Sequence, residues 1–280
     1  MNTPSFSFEF FPPKTDKGIE NLKTVRESLA ELKPEFFSVT YGAGGSTQDC
    51  TLSTVIDIQQ HSGIDTAPHL SCIGSSQKQI RELLDIFKNN DIKRIVALRG
   101  DLPSGMMDIG EFKYANELVE FIRAEKGDYF TIEVAAYPEM HPQATNFQSD
   151  LMNFAKKVSA GADSAITQYF YNADAYFRFV DSCAHIGIDT PIIPGIMPIT
   201  NITQLARFSD ATGAEIPRWL RKRLEGYGED LDSIQKLGLD FVTEMSDKLL
   251  AGGAPGLHFY SMNRVEPSLS IWNNLGLSER

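Results

Sequence analysis

The sequence predicts an α/β fold, a single (β/α)8 TIM barrel filling residues 1–280, with an extra helix in the 200–255 region. Three observations carry this. Apolar, β-rich segments recur eight times, amphipathic helical patterns lie between them, and no linker, low-complexity tract or domain boundary interrupts the series.

The first strand is SFSFEF (5–10). The helix after it, IENLKTVRESLAEL, places Ile19, Leu22, Val25, Leu29 and Leu32 on one face. FFSVTYG (36–42) and APHLSCI (67–73) follow as strands, and then QIRELLDIFKNN repeats the helical pattern with Ile80, Leu83, Leu84 and Phe87. The remaining strands are KRIVALRG (93–100), FTIEVAAYP (130–138), SAITQYFY (164–171), TPIIPGI (190–196) and GLHFYSM (256–262). Glycines in SAGAD (159–163) and HIGID (185–189) suit the turns from helix to strand. Between 200 and 255, ITQLARFS, EIPRWLRKRL and DSIQKLGLDFVTEMSDKLL hold one helix more than the pattern needs. EPSLSIWNNLGL (266–277) predicts a short helix against the barrel, with Leu269, Ile271, Trp272 and Leu275 as its apolar contacts. A doubly wound open sheet is the structural alternative, but its GxGxxG signal is missing, since the first strand runs into FFPPKT.

Composition narrows the function. Lys and Arg number 26 against 37 Asp and Glu, a net charge of −11, which argues against nucleic acid as a partner. No stretch is apolar enough for a membrane span, and MNTPSFSFEF does not read as a signal peptide. Cys50, Cys72 and Cys183 are scattered and not in metal spacing, so a reducing cytoplasm is expected. No HxH or HExxH pattern surrounds His69, and no metal is expected.

A barrel places its active site at the C-terminal ends of its strands. Those ends supply Glu9, Thr40, Tyr41, His69, Arg99, Gly100, Asp101, Tyr137, Pro138, Glu139, Gln168, Asn263 and Arg264. Polar groups converging there are costly unless used or paired. Each has a plainer reading too. Glu9 can be a structural ion-pair member with Arg99 or Arg264, His69 a hydrogen-bonded core histidine, and Lys156-Lys157 a solvated helix face. Gly100 reads as a flexible point that lets the backbone approach a ligand.

FEFFPPK, SVTYGAGGST, PHLSCI, IVALRGD, VAAYPEMHP, GADSAITQYFY, IIPGIMPIT and HFYSMNR, in this order, resemble the barrel of the methylenetetrahydrofolate reductase family. The resemblance covers nearly the whole chain. It implies non-covalently bound FAD, NADH or NADPH as electron donor, and reduction of 5,10-methylenetetrahydrofolate to 5-methyltetrahydrofolate in a ping-pong cycle. Opening the imidazolidine ring leaves a 5-iminium cation, and the departing N10 needs a proton. By resemblance Glu9 is that acid, and its flanking phenylalanines are expected to raise its pKa towards neutrality by desolvation. Asp101 resembles the aspartate near flavin and pterin, where its charge stabilises the cation and tunes the flavin.

Carried over motif by motif, Thr40, Tyr41, Ala43, His69, Arg99, Gly100, Asp101, Ala115, Tyr137, His141, Ala144, Asp150, Asn153, Lys156 and Lys157 are expected to contact FAD. Gln168, Gln204, Phe208 and Arg264 are expected to meet folate or nicotinamide, which by resemblance take turns in one site. Two departures stand out. Lys156-Lys157 replaces a common Arg-Lys pair, and the first strand starts almost at Met1, where relatives often have a leading helix, which leaves the cover of the barrel floor open. A homo-oligomer is expected. A barrel this long leaves no room for a regulatory domain, so insensitivity to S-adenosylmethionine is expected as well.

Two other classes compete: a flavin-free (β/α)8 aldolase or isomerase, and a non-catalytic folate- or flavin-binding subunit. The aldolase needs a mid-strand lysine or a glycine-rich phosphate loop. AGGAPG (251–256) is a weak match to the loop, and none of the proposed strands has the lysine.

Overall fold

The computed structural model describes residues 4–41, 45–101 and 110–279. Its parallel strands are β1 (Ser5–Phe10), β2 (Phe36–Val39), β3 (Asp65–Ser71), β4 (Arg94–Leu98), β5 (Thr131–Ala136), β6 (Ser164–Thr167), β7 (Ile192–Ile193), β8 (Gly195–Ile196) and β9 (Gly256–Tyr260). Among the described residues the helices are α1 (Asp16–Ala30), α2 (Gly45–His61), α3 (Gln77–Asn89), α4 (Ala115–Lys126), α5 (Phe147–Ser159), α6 (Ala173–His185), α7 (Ile202–Thr212), α8 (Arg218–Gly226), α9 (Leu231–Ala251) and α10 (Ser268–Asn274).

The sheet runs β7-β6-β5-β4-β3-β2-β1-β9-β8. The two edge strands are halves of one expected strand, TPIIPGI, parted at Pro194. One half pairs with β6 and the other with β9, so together they bring the sheet round into a nearly closed barrel. Proline lacks the N–H that a ladder needs, which explains the break. The 200–255 region carries α7, α8 and α9. These are the three helical segments that the sequence marks in this region, more than a single repeating unit requires.

Helix faces follow the apolar spacing. α3 starts at a Ser76–Gln79 capping box and buries Ile80, Leu84 and Phe87, while Leu83 packs at the edge. α1 buries Leu22, Val25 and Leu29, whereas Ile19, in its first turn, is 41% exposed. Arg26 shares that buried face because Asp57 on α2 accepts its guanidinium at 2.6 Å. α10 packs Ile271 and Trp272 against the outside of β1 and β9, with the Trp272 ring 5.0 Å from Phe6 and 5.9 Å from Phe8.

Inside the barrel a small apolar layer of Phe36, Ala67, Val96 and Ile166 separates two polar ends. At the floor lies a network of charged side chains from the barrel itself. Arg94 forks between Glu35 and the fully buried Glu133, and its guanidinium lies 4.5 Å from the centre of the Phe36 ring. Ser5 and Ser164 complete the two carboxylates.

Candidate active site

Side chains alternate along a strand, so SFSFEF sorts itself into two faces. Phe6, Phe8 and Phe10 point outwards into an aromatic layer, where Phe8 stacks 5.2 Å from Phe259 and Phe10 lies 5.0 Å from Phe37. Ser7 and Glu9 point inwards. The phenylalanines therefore do not surround the Glu9 carboxylate; two histidines do. His69 Nε2 lies 3.3 Å and His258 Nε2 3.7 Å from Glu9 Oε2. His258 is fully buried, held by Ser7 Oγ at 2.7 Å on Nδ1 and by Ser38 Oγ at 3.5 Å on Nε2.

This overturns the expected direction of the Glu9 pKa. Burial alone would push the carboxyl up. The contacts with His258 and His69, and the positive charge they carry when protonated, outweigh it and bring Glu9 down to about 2. The expected ion-pair partners do not reach it. Arg99 donates to Gln143 Oε1 at 2.6 Å, and Arg264 is exposed. Apart from this ion-pair contact with Glu9, His69 Nε2 makes no hydrogen bond among the described residues.

Glu9 opens onto a cavity of about 430 Å³ at the C-terminal mouth of the barrel. Seven of the sequence-predicted site residues line it: Glu9, Thr40, His69, Asp101, Tyr137, Gln168 and Phe208. A side pocket of about 70 Å³ shares Phe208 and Tyr260 with it and brings in Gln204 and Arg264. All four residues expected to meet folate or nicotinamide are thus around two adjoining spaces.

A second group gathers on the shoulder between β4, β5 and α5. Tyr137 and His141 meet edge to face at 4.5 Å, Asp150 accepts the His141 N–H at 2.8 Å, and the Ala144 N–H closes a turn on the His141 carbonyl. Burial pushes the Tyr137 phenol up to about 12, helped by the charges of Asp101 and Asp150. Burial also lowers His141, partly offset by Asp150. Lys157 is tucked under α5 and donates to the Ala135 carbonyl, and burial lowers its amine to about 8.

Other expected residues do not converge. Lys156 and Asn153 sit on the exposed face of α5, 3.4 Å apart. Ala115 only begins α4 and lines none of these cavities. Tyr41 follows β2; its hydroxyl is buried without a partner among the described residues, and burial raises it to about 12. Ala43 lies outside the described residues. Gly100 is required by packing, since at φ +86° a Cβ would fall 1.8 Å from Ser71 Oγ. AGGAPG joins α9 to the start of β9, at the barrel's floor end, away from the cavity.

Sequence reasoning missed His258 and Tyr260. The signal was available: β1 and β9 pair in register as Ser7↔His258 and Glu9↔Tyr260, so both share the inward face of SFSFEF and GLHFY.

The methylenetetrahydrofolate reductase family model matches residues 1–276. The 5,10-methylenetetrahydrofolate reductase of Escherichia coli is 42% identical over 273 residues, covering 97% of this chain and 90% of that one. Methylenetetrahydrofolate reductase (NADH) 1 of Arabidopsis thaliana is 41% identical, covering 98% of this chain and 48% of its own length. Among solved structures, an uncharacterized Clostridium thermocellum protein that binds two copies of 5-methyl-5,6,7,8-tetrahydrofolic acid shares the fold. It superposes with a TM-score of 0.67 at 16% identity, covering 99% of this chain and 94% of that one. On the match along almost its full length, this chain belongs to the methylenetetrahydrofolate reductase family.

Proposed function

We propose that the protein reduces 5,10-methylenetetrahydrofolate to 5-methyltetrahydrofolate with non-covalently bound FAD, taking electrons from NADH or NADPH in a ping-pong cycle, as a cytoplasmic homo-oligomer. The observation that carries the reading is the carboxylate flanked by two histidines at the mouth of the cavity. The family it belongs to and the names of its relatives support the same reaction.

The residues fit FAD. Tyr41 Oη is a buried polar atom without a hydrogen-bond partner among the described residues, and Arg99, Asp150, His141 and Lys157 form a polar shoulder beside the cavity. Thr40, Asp101 and Tyr137 would hold the isoalloxazine side and the shoulder the dinucleotide side. When bound, FAD supplies the two-electron chemistry that links nicotinamide to folate.

Leaving N10 of the folate needs a proton, and Glu9 is ionised in the ligand-free molecule. Glu9 and His69 both line the cavity, so Glu9, with His69 and His258 beside it, is the group placed to pass a proton to N10 once folate is bound. Asp101 at the rim puts a negative charge where the iminium cation develops. Phe208 offers a ring for stacking, and Arg264 with Gln204 meets the acidic end of the folate.

The aldolase alternative loses ground, because no described strand contains a lysine. An anaerobic titration tests the proposal. The purified protein is expected to be yellow, to bleach with NADH or NADPH, and to regain colour on adding methylenetetrahydrofolate. A colourless protein that traps a carbonyl substrate on borohydride would overturn it.

A further inference from the structure

The break in the seventh strand is repaired by side chains. β6 pairs with β7 through Ala165↔Ile192 and Ile166↔Ile193, and at Pro194 the regular ladder stops. One residue later the Gly195 N–H donates to the Thr167 hydroxyl at 2.9 Å, in place of the Thr167 carbonyl. That carbonyl accepts instead from the Tyr260 hydroxyl at 2.7 Å, reaching over from β9. Gly195 makes the reach possible. A Cβ there would fall 2.3 Å from the Thr167 carbonyl oxygen and 2.6 Å from the Tyr260 ring.

Tyr260 also lines both the mouth cavity and the side pocket, and its ring meets His258 edge to face at 5.3 Å. The carbonyl it holds belongs to the peptide unit that carries the Gln168 N–H. That N–H in turn donates to Ala136 at 2.8 Å, so the unit is pinned on both sides. The Gln168 side chain projects from this unit into the mouth cavity.

We infer that Tyr260 is a positioning residue for folate: its hydroxyl takes the Thr167 carbonyl that the Gly195 N–H has left, and so fixes Gln168 against the bound pterin. Resting on the proposed function, this assigns the broken strand, the glycine and the tyrosine to one task. A strand interrupted at the cavity wall leaves the next residue loose unless another element holds it, and Tyr260 is placed to do so.

Calorimetric titration of the flavin-loaded protein with 5-methyltetrahydrofolate tests this without requiring turnover. Tyr260→Phe keeps the ring and leaves the carbonyl unsatisfied, which is expected to weaken binding about tenfold. Gln168→Ala is expected to weaken it as well, and the double variant to bind no worse than Gln168→Ala alone, because the tyrosine acts through the glutamine. Thr167→Val, which removes only the acceptor of the Gly195 N–H, is expected to lower the melting temperature with affinity unchanged. Unaltered affinity in Tyr260→Phe, or losses that multiply in the double variant, would overturn the inference. A wild-type protein that binds the folate but does not reduce methylenetetrahydrofolate loses the proposed function and keeps the strut; one that binds no folate loses both.

Discussion

The two ends of the barrel each bury a glutamate, and they treat it differently. At the floor, Glu133 is fully buried and satisfied, with Arg94 and Ser164 on its oxygens and Glu35 on the other side of the guanidinium. At the mouth, among the described residues, the Glu9 carboxylate has only the ion-pair contacts of two histidines, at 3.3 and 3.7 Å, beside a cavity of about 430 Å³. A fully buried carboxylate with its oxygens taken by a guanidinium and a hydroxyl is arranged for stability, and its worth is structural. An incompletely paired carboxylate next to open volume is poised to exchange a proton. The contrast matches the general division of barrels into a stability face and a catalytic face.

The largest effect is expected at the floor. Arg94→Ala leaves Glu133 buried without its cation, which typically costs about 3–5 kcal/mol. Urea denaturation of wild type and variant measures it, and a loss below about 1 kcal/mol would show that the floor is not the structural end.

Glu9 stability depends on pH. Its folded pKa of about 2 lies below the ordinary 4.5, so its contribution is full above 4.5 and is lost as pH falls towards 2. At 1.36 kcal/mol per unit the contribution is at most about 3 kcal/mol. The stability gap between wild type and Glu9→Gln is therefore expected to narrow from pH 5 to pH 3. A gap constant with pH would mean that the histidines do not hold the carboxylate ionised. Kinetically, Glu9→Gln is expected to keep flavin and its reduction by nicotinamide, while folate reduction falls about 10²-fold or more. Near-normal folate turnover would remove Glu9 from the chemistry.

Much of this was legible in the sequence, and what was not has physical causes. Periodicity of two and of 3.6 marked the strands and helices, and even the broken strand is written in TPIIPGI as a proline. The phenylalanines around Glu9 mislead in the sequence because neighbours in sequence are on opposite faces of a strand. The partners that set its pKa come from β3 and β9, and only barrel closure brings them together. Lys156 and Lys157 are likewise adjacent, yet one is exposed and the other tucked against Ala135, a difference set by how α5 packs.

Lys157 supplies the smallest test of the contrast, at the edge of the functional end. Burial lowers its amine from 10.5 to about 8, with Asp150 opposing the shift. In the folded chain the charged form is thus disfavoured, a cost present at low pH and relieved as pH rises from about 8 towards 10.5. A dinucleotide phosphate on the shoulder would favour the charged form and raise the amine again, so FAD binding is expected to take up protons in this range. By linkage, affinity for FAD falls as pH rises through about 8. A severalfold weakening between pH 7 and pH 9, read from flavin fluorescence, is the expected result for wild type, against a flat profile and weaker binding for Lys157→Met. Equal pH slopes in the two proteins would place the phosphates away from Lys157 and leave its buried amine to the structural end of the comparison.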